Sequence, residues 1–188
     1  MGGSPTRLMR LSARGVEALT ELRDGPVRTP AGATLARRLT DAGLAHPRPA
    51  ASATPELVVV VPAHDRADLL DRCLRTLGDT YPVLVVDDAS TDHAAIKAVA
   101  DRHGARLIRR HVNGGPAAAR NTGLTNTDGA LIAFVDSDCA PTARALTRLA
   151  AHLADRNVAA VAPRIVPDEP GPRCALDLGP HPARVAPG

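Results

Sequence analysis

Asp136 and Asp138 stand one residue apart at the end of an apolar run, LIAFVDSDC, residues 131–139. Two like charges this close repel, and neither serves the hydrogen bonding of a strand. A cation shared with a ligand removes the conflict. Carboxylate oxygens are hard ligands, so Mg2+ or Mn2+ is expected, ions typically held by one or two carboxylates together with substrate phosphates. Three other apolar runs end in comparable sequence: PAHDR at 62–66, DDASTD at 87–92 and NGGPAAARN at 113–121. Asp87 and Asp88 follow the first apolar run by about the distance at which a dinucleotide-binding fold places its ribose acid. The turn VVPAHDRADLL carries no GxGxxG, which argues against a nicotinamide or flavin enzyme. A nucleotide held by acids and a metal fits better.

Each feature also has a plainer reading. Asp65, Ser90 and Asp92 could simply cap helices. His64 has no second histidine at ligand spacing, and His46, His93, His103, His111, His152 and His181 are scattered. The NGG turn fits ordinary loop geometry, although glycines before a helix also let backbone N–H groups approach a phosphate. Arg120 is either a solvated charge or an anion clamp. An apolar strand ending in Asp-x-Asp is in addition the mark of aspartyl-nucleophile phosphotransferases. Their motif lies on the first strand, whereas here it follows the fourth.

The elements that must position these residues alternate. LVVVV from Leu57 reads as a strand buried on both faces. A helix follows over about 66–77, with Asp65 as N-cap, Leu70, Cys73, Leu74 and Leu77 on one face and Gly78 as stop. PVLVV is the second strand, followed by a helix capped by Ser90 or Thr91, with Ile96, Val99 and His103 at helical spacing. ARLIRR is a third strand, and Pro116 marks the start of the next helix. ALIAFVD, a helix over TARALTRLAAHLA and a fifth strand VAAVAPRIV complete the pattern. Strands alternating with helices predict an α/β fold with a mostly parallel sheet covered on both faces. In such sheets ligands sit at the carboxyl ends of the strands, where strand order reverses.

Before this region, residues 1–45 carry two short helical patterns, one with Val16, Leu19 and Leu22 and one with Leu35 and Leu39 ending at Gly43. This is a small helical appendage; a winged-helix-like DNA-binding module is the rival reading. Residues 46–56 read as a linker, and residues 167–188, with six of the 17 prolines, offer no regular element. The whole is 188 residues, enough for one sizeable domain and an appendage.

The formal charge is +3, with 22 Arg and one Lys spread along the chain. One Phe, one Tyr and no Trp leave little on which bases could stack, so no nucleic-acid partner is expected. Three distant cysteines show no metal or disulfide spacing, which favours a reducing cytoplasmic location. No run approaches the ~20 apolar residues of a transmembrane helix. Whether a longer form of the protein touches a membrane stays open.

The segments VVVVPAHDR, VLVVDDASTD, NGGPAAARNTG and ALIAFVDSDC, in this order over residues 57–166, resemble the donor half of family 2 glycosyltransferases of GT-A (Rossmann-like) fold. The stretches GGSPTRLMRLSARGVEAL, LARRLTDAGLAHPRP and CALDLGPHPARVAPG resemble the mycofactocin-biosynthesis subfamily. The resemblance implies a metal-dependent, inverting transfer from a nucleotide-sugar, UDP-glucose foremost, to a peptide-derived or glycan acceptor.

On this sequence it places Pro62, Ala63 and His64 round the base, with His64 and Asp65 replacing the usual Tyr and Asn. Asp87 matches the acid that bonds uracil, and Gly114 and Arg120 match the segment closing over base and diphosphate. Asp136 matches the ribose and metal acid, and Asp138 the direct metal ligand. The family's general base is an acid in a motif well beyond these. Only Asp155, Asp168, Glu169 and Asp177 follow Asp138, none in such a motif, so the expectation is a donor-binding fragment whose catalytic base is unassigned.

Overall fold

A computed structural model describes residues 8–50 and 55–166. The chain divides into two compact units: Pro49–Pro163 forms one, and the residues up to Arg48 belong to the other.

The larger unit is a four-stranded parallel sheet in the order β3-β2-β1-β4, with β1 Leu57–Ala63, β2 Val83–Asp88, β3 Arg106–Arg110 and β4 Leu131–Phe134. The register sets Val59 opposite Val83, Leu57 opposite Leu131 and Leu84 opposite Arg106. The order predicted from sequence, strand then helix, is present through β4. The central strand has its Val59, Val60 and Val61 fully buried, as a strand covered on both faces must.

Side-chain alternation then sorts the helices. One face of the sheet, with Val59, Val61, Ala63 and Val85, packs on α3 Ala67–Leu77, α4 His93–Arg102 and α6 Ala143–Ala151, through Leu70, Cys73, Leu74, Leu77, Ile96, Val99, Ala100 and Leu146. Fully burying a side chain of Leu size contributes about 1.5–3 kcal/mol, so this cluster is the main core. The other face, with Val60, Leu84 and Val86, packs on Ala119 of α5 Gly115–Thr125. That approach is very close: a Cβ on Gly123 would lie 2.3 Å from Cγ1 of Val60. Tyr81, buried beside α6, meets the Thr147 hydroxyl at 2.5 Å.

Several boundaries differ from the sequence reading. Asp65 does not cap α3; Arg66 does, in the left-handed region (φ 53°) and without a side-chain capping bond. Asp92, rather than Ser90 or Thr91, caps α4, accepting the Ala95 N–H at 3.0 Å, because Ser90 and Asp65 are occupied elsewhere. β2 runs on through both acids. The expected fifth strand over VAAVAPRIV is not formed among the described residues: residues 156–166 have no ladder partner there, Pro163 lacks a donor, and Ile165 and Val166 are exposed.

In the other unit, α1 Ala13–Asp24 and α2 Pro30–Asp41 form a helical pair with Ala18 and Leu35 buried. Val16, expected on the apolar face, is 54% exposed. The pair is fastened by Glu21, whose carboxylate accepts the N–H groups of Arg28 (2.5 Å) and Thr29 (2.9 Å) and the Thr29 hydroxyl (2.5 Å). Those bonds, from the Thr29 hydroxyl first, hold its pKa below the usual carboxylate value. Gly32 allows this approach, since a Cβ there would sit 2.7 Å from Glu21 Oε2.

Candidate functional site at the carboxyl ends of the strands

Strand order reverses between β1 and β4, so the ligand crevice of such a sheet lies at their carboxyl ends. Pro62, Ala63, His64, Asp65, Asp87, Gly114, Asp136 and Asp138 lie at this end of the sheet or on the loops leaving it, and Arg120 reaches it from α5 Gly115–Thr125.

β2 ends in two acids, and alternation sends them to opposite faces. Asp87 shares the face of Val85 and turns toward α4. It is fully buried, with the Ser90 N–H on Oδ1 at 2.8 Å and His93 Nδ1 on Oδ2 at 2.6 Å. Burial pushes its pKa up, but the hydrogen bonds from Ser90 and His93 outweigh this and leave it below the ordinary value. Asp88 shares the face of Leu84 and Val86 and turns toward α5. It is also buried, pairing with the Arg110 guanidinium and accepting the Gly114 N–H at 3.2 Å on both oxygens. The acid at 87 is thus turned inward, and the partner of the α5 N-terminus is Asp88, which the sequence reading paired with Asp87 at the strand end but gave no role of its own. The signal was available in the period of two, had the strand been extended through both acids.

His64 connects three loops. The Gly115 N–H donates to Asn113 Oδ1 at 3.0 Å, which fixes the amide and aims Nδ2 at His64 Nε2, 3.1 Å away. His64 Nδ1 lies 2.9 Å from the Asp88 carbonyl oxygen. An amide nitrogen only donates and a carbonyl only accepts, so in these two contacts Nδ1 is the donor and Nε2 the acceptor. Asp65 ties β1 to β2 as well: its N–H donates to Ser90 Oγ and its Oδ1 accepts the Thr91 N–H, both at 2.8 Å. Asp65, Arg66 and Ala89, which follow β1 and β2, all have positive φ between 53° and 59°. Sparsely populated backbone of this kind costs about 1–3 kcal/mol per residue and concentrates at functional ends of folds. Pro62 and Ala63 are buried within β1, with Ala63 opposite Asp87.

The DSDC turn after β4 is held from below by α3. The Asp136 carbonyl accepts the Cys139 N–H at 3.0 Å and faces Cys73 Sγ at 3.8 Å, and the Asp138 carbonyl accepts Arg72 Nη2 at 2.9 Å. Burial pushes the Cys73 thiol up to about 12, and burial also raises Cys139. The Asp136 carboxylate reaches across to α5, where it pairs with Arg120. Both Asp136 and Asp138 are exposed.

Among the described residues no cluster of three or more metal-ligating side chains exists. The donor set is two exposed carboxylates, which suits a hard divalent ion completed by a ligand's phosphates and does not suit an ion caged by protein alone. Of the later acids, Asp155 accepts the Asn157 N–H at 3.0 Å, and Asp168, Glu169 and Asp177 lie outside the described residues. Among the described residues no helix is long and apolar enough to cross a membrane.

The chain belongs to glycosyl transferase family 2, whose sequence model matches residues 58–178. It is 40% identical, over 100% of its length, to the pre-mycofactocin glycosyltransferase of Mycobacterium tuberculosis, and spans 42% of that relative. The glycosyltransferase AglE of Haloferax volcanii is 34% identical over 48% of the chain, which spans 33% of AglE. Among solved structures, the mannosyltransferase PcManGT from Pyrobaculum calidifontis, in complex with GDP-Man and Mn2+, superposes with a TM-score of 0.54 at 26% identity, over 78% of this chain and 45% of its own. The α/β architecture with a parallel sheet is that of the family.

Proposed function

We propose that this chain is the nucleotide-sugar-binding portion of an inverting hexosyltransferase that takes a UDP-sugar, UDP-glucose foremost, and glycosylates the peptide-derived redox cofactor mycofactocin. The observation that carries the reading is the pairing of Arg120 with Asp136, two residues before the exposed Asp138, where strand order reverses. Identity along the whole chain to a pre-mycofactocin glycosyltransferase supports the acceptor, and the Mn2+ in PcManGT supports a divalent ion. The family assignment weighs against the phosphotransferase alternative.

In this reading Asp136 and Asp138 hold Mg2+ or Mn2+. When bound, the ion offsets the charge of the departing diphosphate. Arg120 supplies a second positive charge to the same group. Pro62, Ala63, His64 and Asp65 shape the base end, Asp87 fixes the β2 loop from inside, and Gly114, tied to Asp88, holds the segment that leads to Arg120 against base and diphosphate. Activation of the acceptor hydroxyl needs a general base from outside the described residues.

Calorimetric titration of the chain with UDP tests the reading. Binding is expected in Mn2+, with loss of about tenfold or more on adding EDTA or in Asp138→Ala, the scale of a charged ligand contact. UDP binding indifferent to both would sink it.

A further inference from the structure

Asp136 is held between two helices on opposite faces of the sheet. Its backbone carbonyl is fixed on the α3 side by the Cys139 N–H, with Cys73 beneath it, while its carboxylate is drawn to the α5 side by Arg120. The side chains of Arg120 and Asp136 are 34% and 53% exposed, so the pair is open to solvent and to competing ions. An exposed ion pair of this kind is worth only about 0–1 kcal/mol, weak enough for a divalent ion to displace.

We infer that Arg120 is the resident counter-ion of Asp136 and must leave it for the metal to bind, so that metal arrival hands the guanidinium to the nucleotide diphosphate. The inference rests on the donor-site reading above and adds an order and a coupling to it. A guanidinium on Asp136 lowers the charge offered to the metal and repels it. Once the metal holds Asp136, Arg120 has lost its carboxylate partner, and an anionic diphosphate beside it replaces that partner. Each ligand thereby favours the other, and the coupling is reciprocal by thermodynamic necessity.

The measurement is Mn2+ affinity of the whole chain, by the free-Mn2+ signal in electron paramagnetic resonance, with and without UDP. Arg120→Gln is expected to bind Mn2+ alone about two- to fivefold more tightly, the scale of one exposed ion pair. The same variant is expected to bind UDP in Mn2+ more weakly, so that the factor by which UDP tightens Mn2+ shrinks. Arg120→Lys, which keeps the charge, is expected to hold Mn2+ alone as weakly as the wild type. A purely structural defect would weaken both ligands, whereas release of a competitor tightens one. If Arg120→Gln binds Mn2+ no more tightly than wild type while UDP binding stays Mn2+-dependent, the inference is overturned and the donor reading stands. Absence of UDP binding in the wild type, with Mn2+ tightened by Arg120→Gln, overturns the donor reading and keeps the competition at Asp136.

Discussion

At the scale of single residues, the acids of this chain divide into those exposed at the candidate site, such as Asp136 and Asp138, and those bonded into the fold, and their surroundings tell them apart. Asp71 is of the second kind. Its carboxylate takes His103 Nε2 at 2.9 Å and Arg102 Nη1 at 2.7 Å, and it pairs with Arg75, joining α3 to α4. The His103 bond first, then Arg102, lowers its pKa from 3.8 to about 2. A depressed folded-state pKa gives stability that is present above the unfolded value and lost as pH falls through the folded one. The melting-temperature difference between wild type and Asp71→Asn should therefore be largest above 3.8 and vanish as pH approaches about 2. A difference constant across that window would show that Asp71 does not carry the linkage. The sequence displayed Asp71 and His103 as unrelated members of two helices, since helical spacing shows which residues share a face but not which partner helix meets it. Asp136 and Asp138 were more directly legible as exposed strand-end acids, because two like charges after an apolar strand satisfy nothing in the strand. Asp87 and Asp88 fell between: their place at a strand end was visible, and the opposite directions of their carboxylates depended on a strand boundary two residues away.

At the scale of elements, α5 links core packing to the candidate site. It carries Ala119 and Gly123 against β1 and β2 and Arg120 toward Asp136, so a displacement of the helix displaces the guanidinium. In Gly123→Ala the new methyl would meet Val60, and overpacking of this sort costs about 1–3 kcal/mol. The expected result is a melting temperature lowered by several degrees and weaker UDP binding, with partial recovery of both in Gly123→Ala/Val60→Ala. A double variant no better than Gly123→Ala would refute the steric account. The helix itself was legible from Pro116 and its preceding glycines. The need for glycine at 123 was not, because close approach of helix and strand is a property of two elements and no single stretch of sequence contains it. The same holds for the DSDC turn, whose position on Arg72 and Cys73 is set by a helix more than sixty residues away in the chain. The missing fifth strand has the converse cause: VAAVAPRIV has strand composition but lacks a ladder partner among the described residues.

At the scale of the whole molecule, the strand order was the part that sequence periodicity could not supply, although alternating strands and helices narrowed it to parallel arrangements. The helical pair was legible as helices, while its fastening through Glu21 depended on a glycine at 32 that reads as a defect in a helix. The chain spans 42% of the length of the pre-mycofactocin glycosyltransferase it matches, and the residues that would read acceptor and sugar were not to be found in it by pattern. One consequence of the order β3-β2-β1-β4 concerns time. β1 pairs with β2, and β2 with β3, between consecutive strands, whereas β4 must return past both to pair Leu57 with Leu131. Closing the longest loop carries the greatest entropic cost and comes after the local pairings. Val85→Ala should therefore slow refolding in stopped-flow measurements, and Ile132→Ala should chiefly accelerate unfolding. The reverse pattern would mean that β4 nucleates the sheet. With β4 last, Asp136 is brought beside Arg120 only as the sheet is completed, so the ion pair across to α5 is a late event of folding.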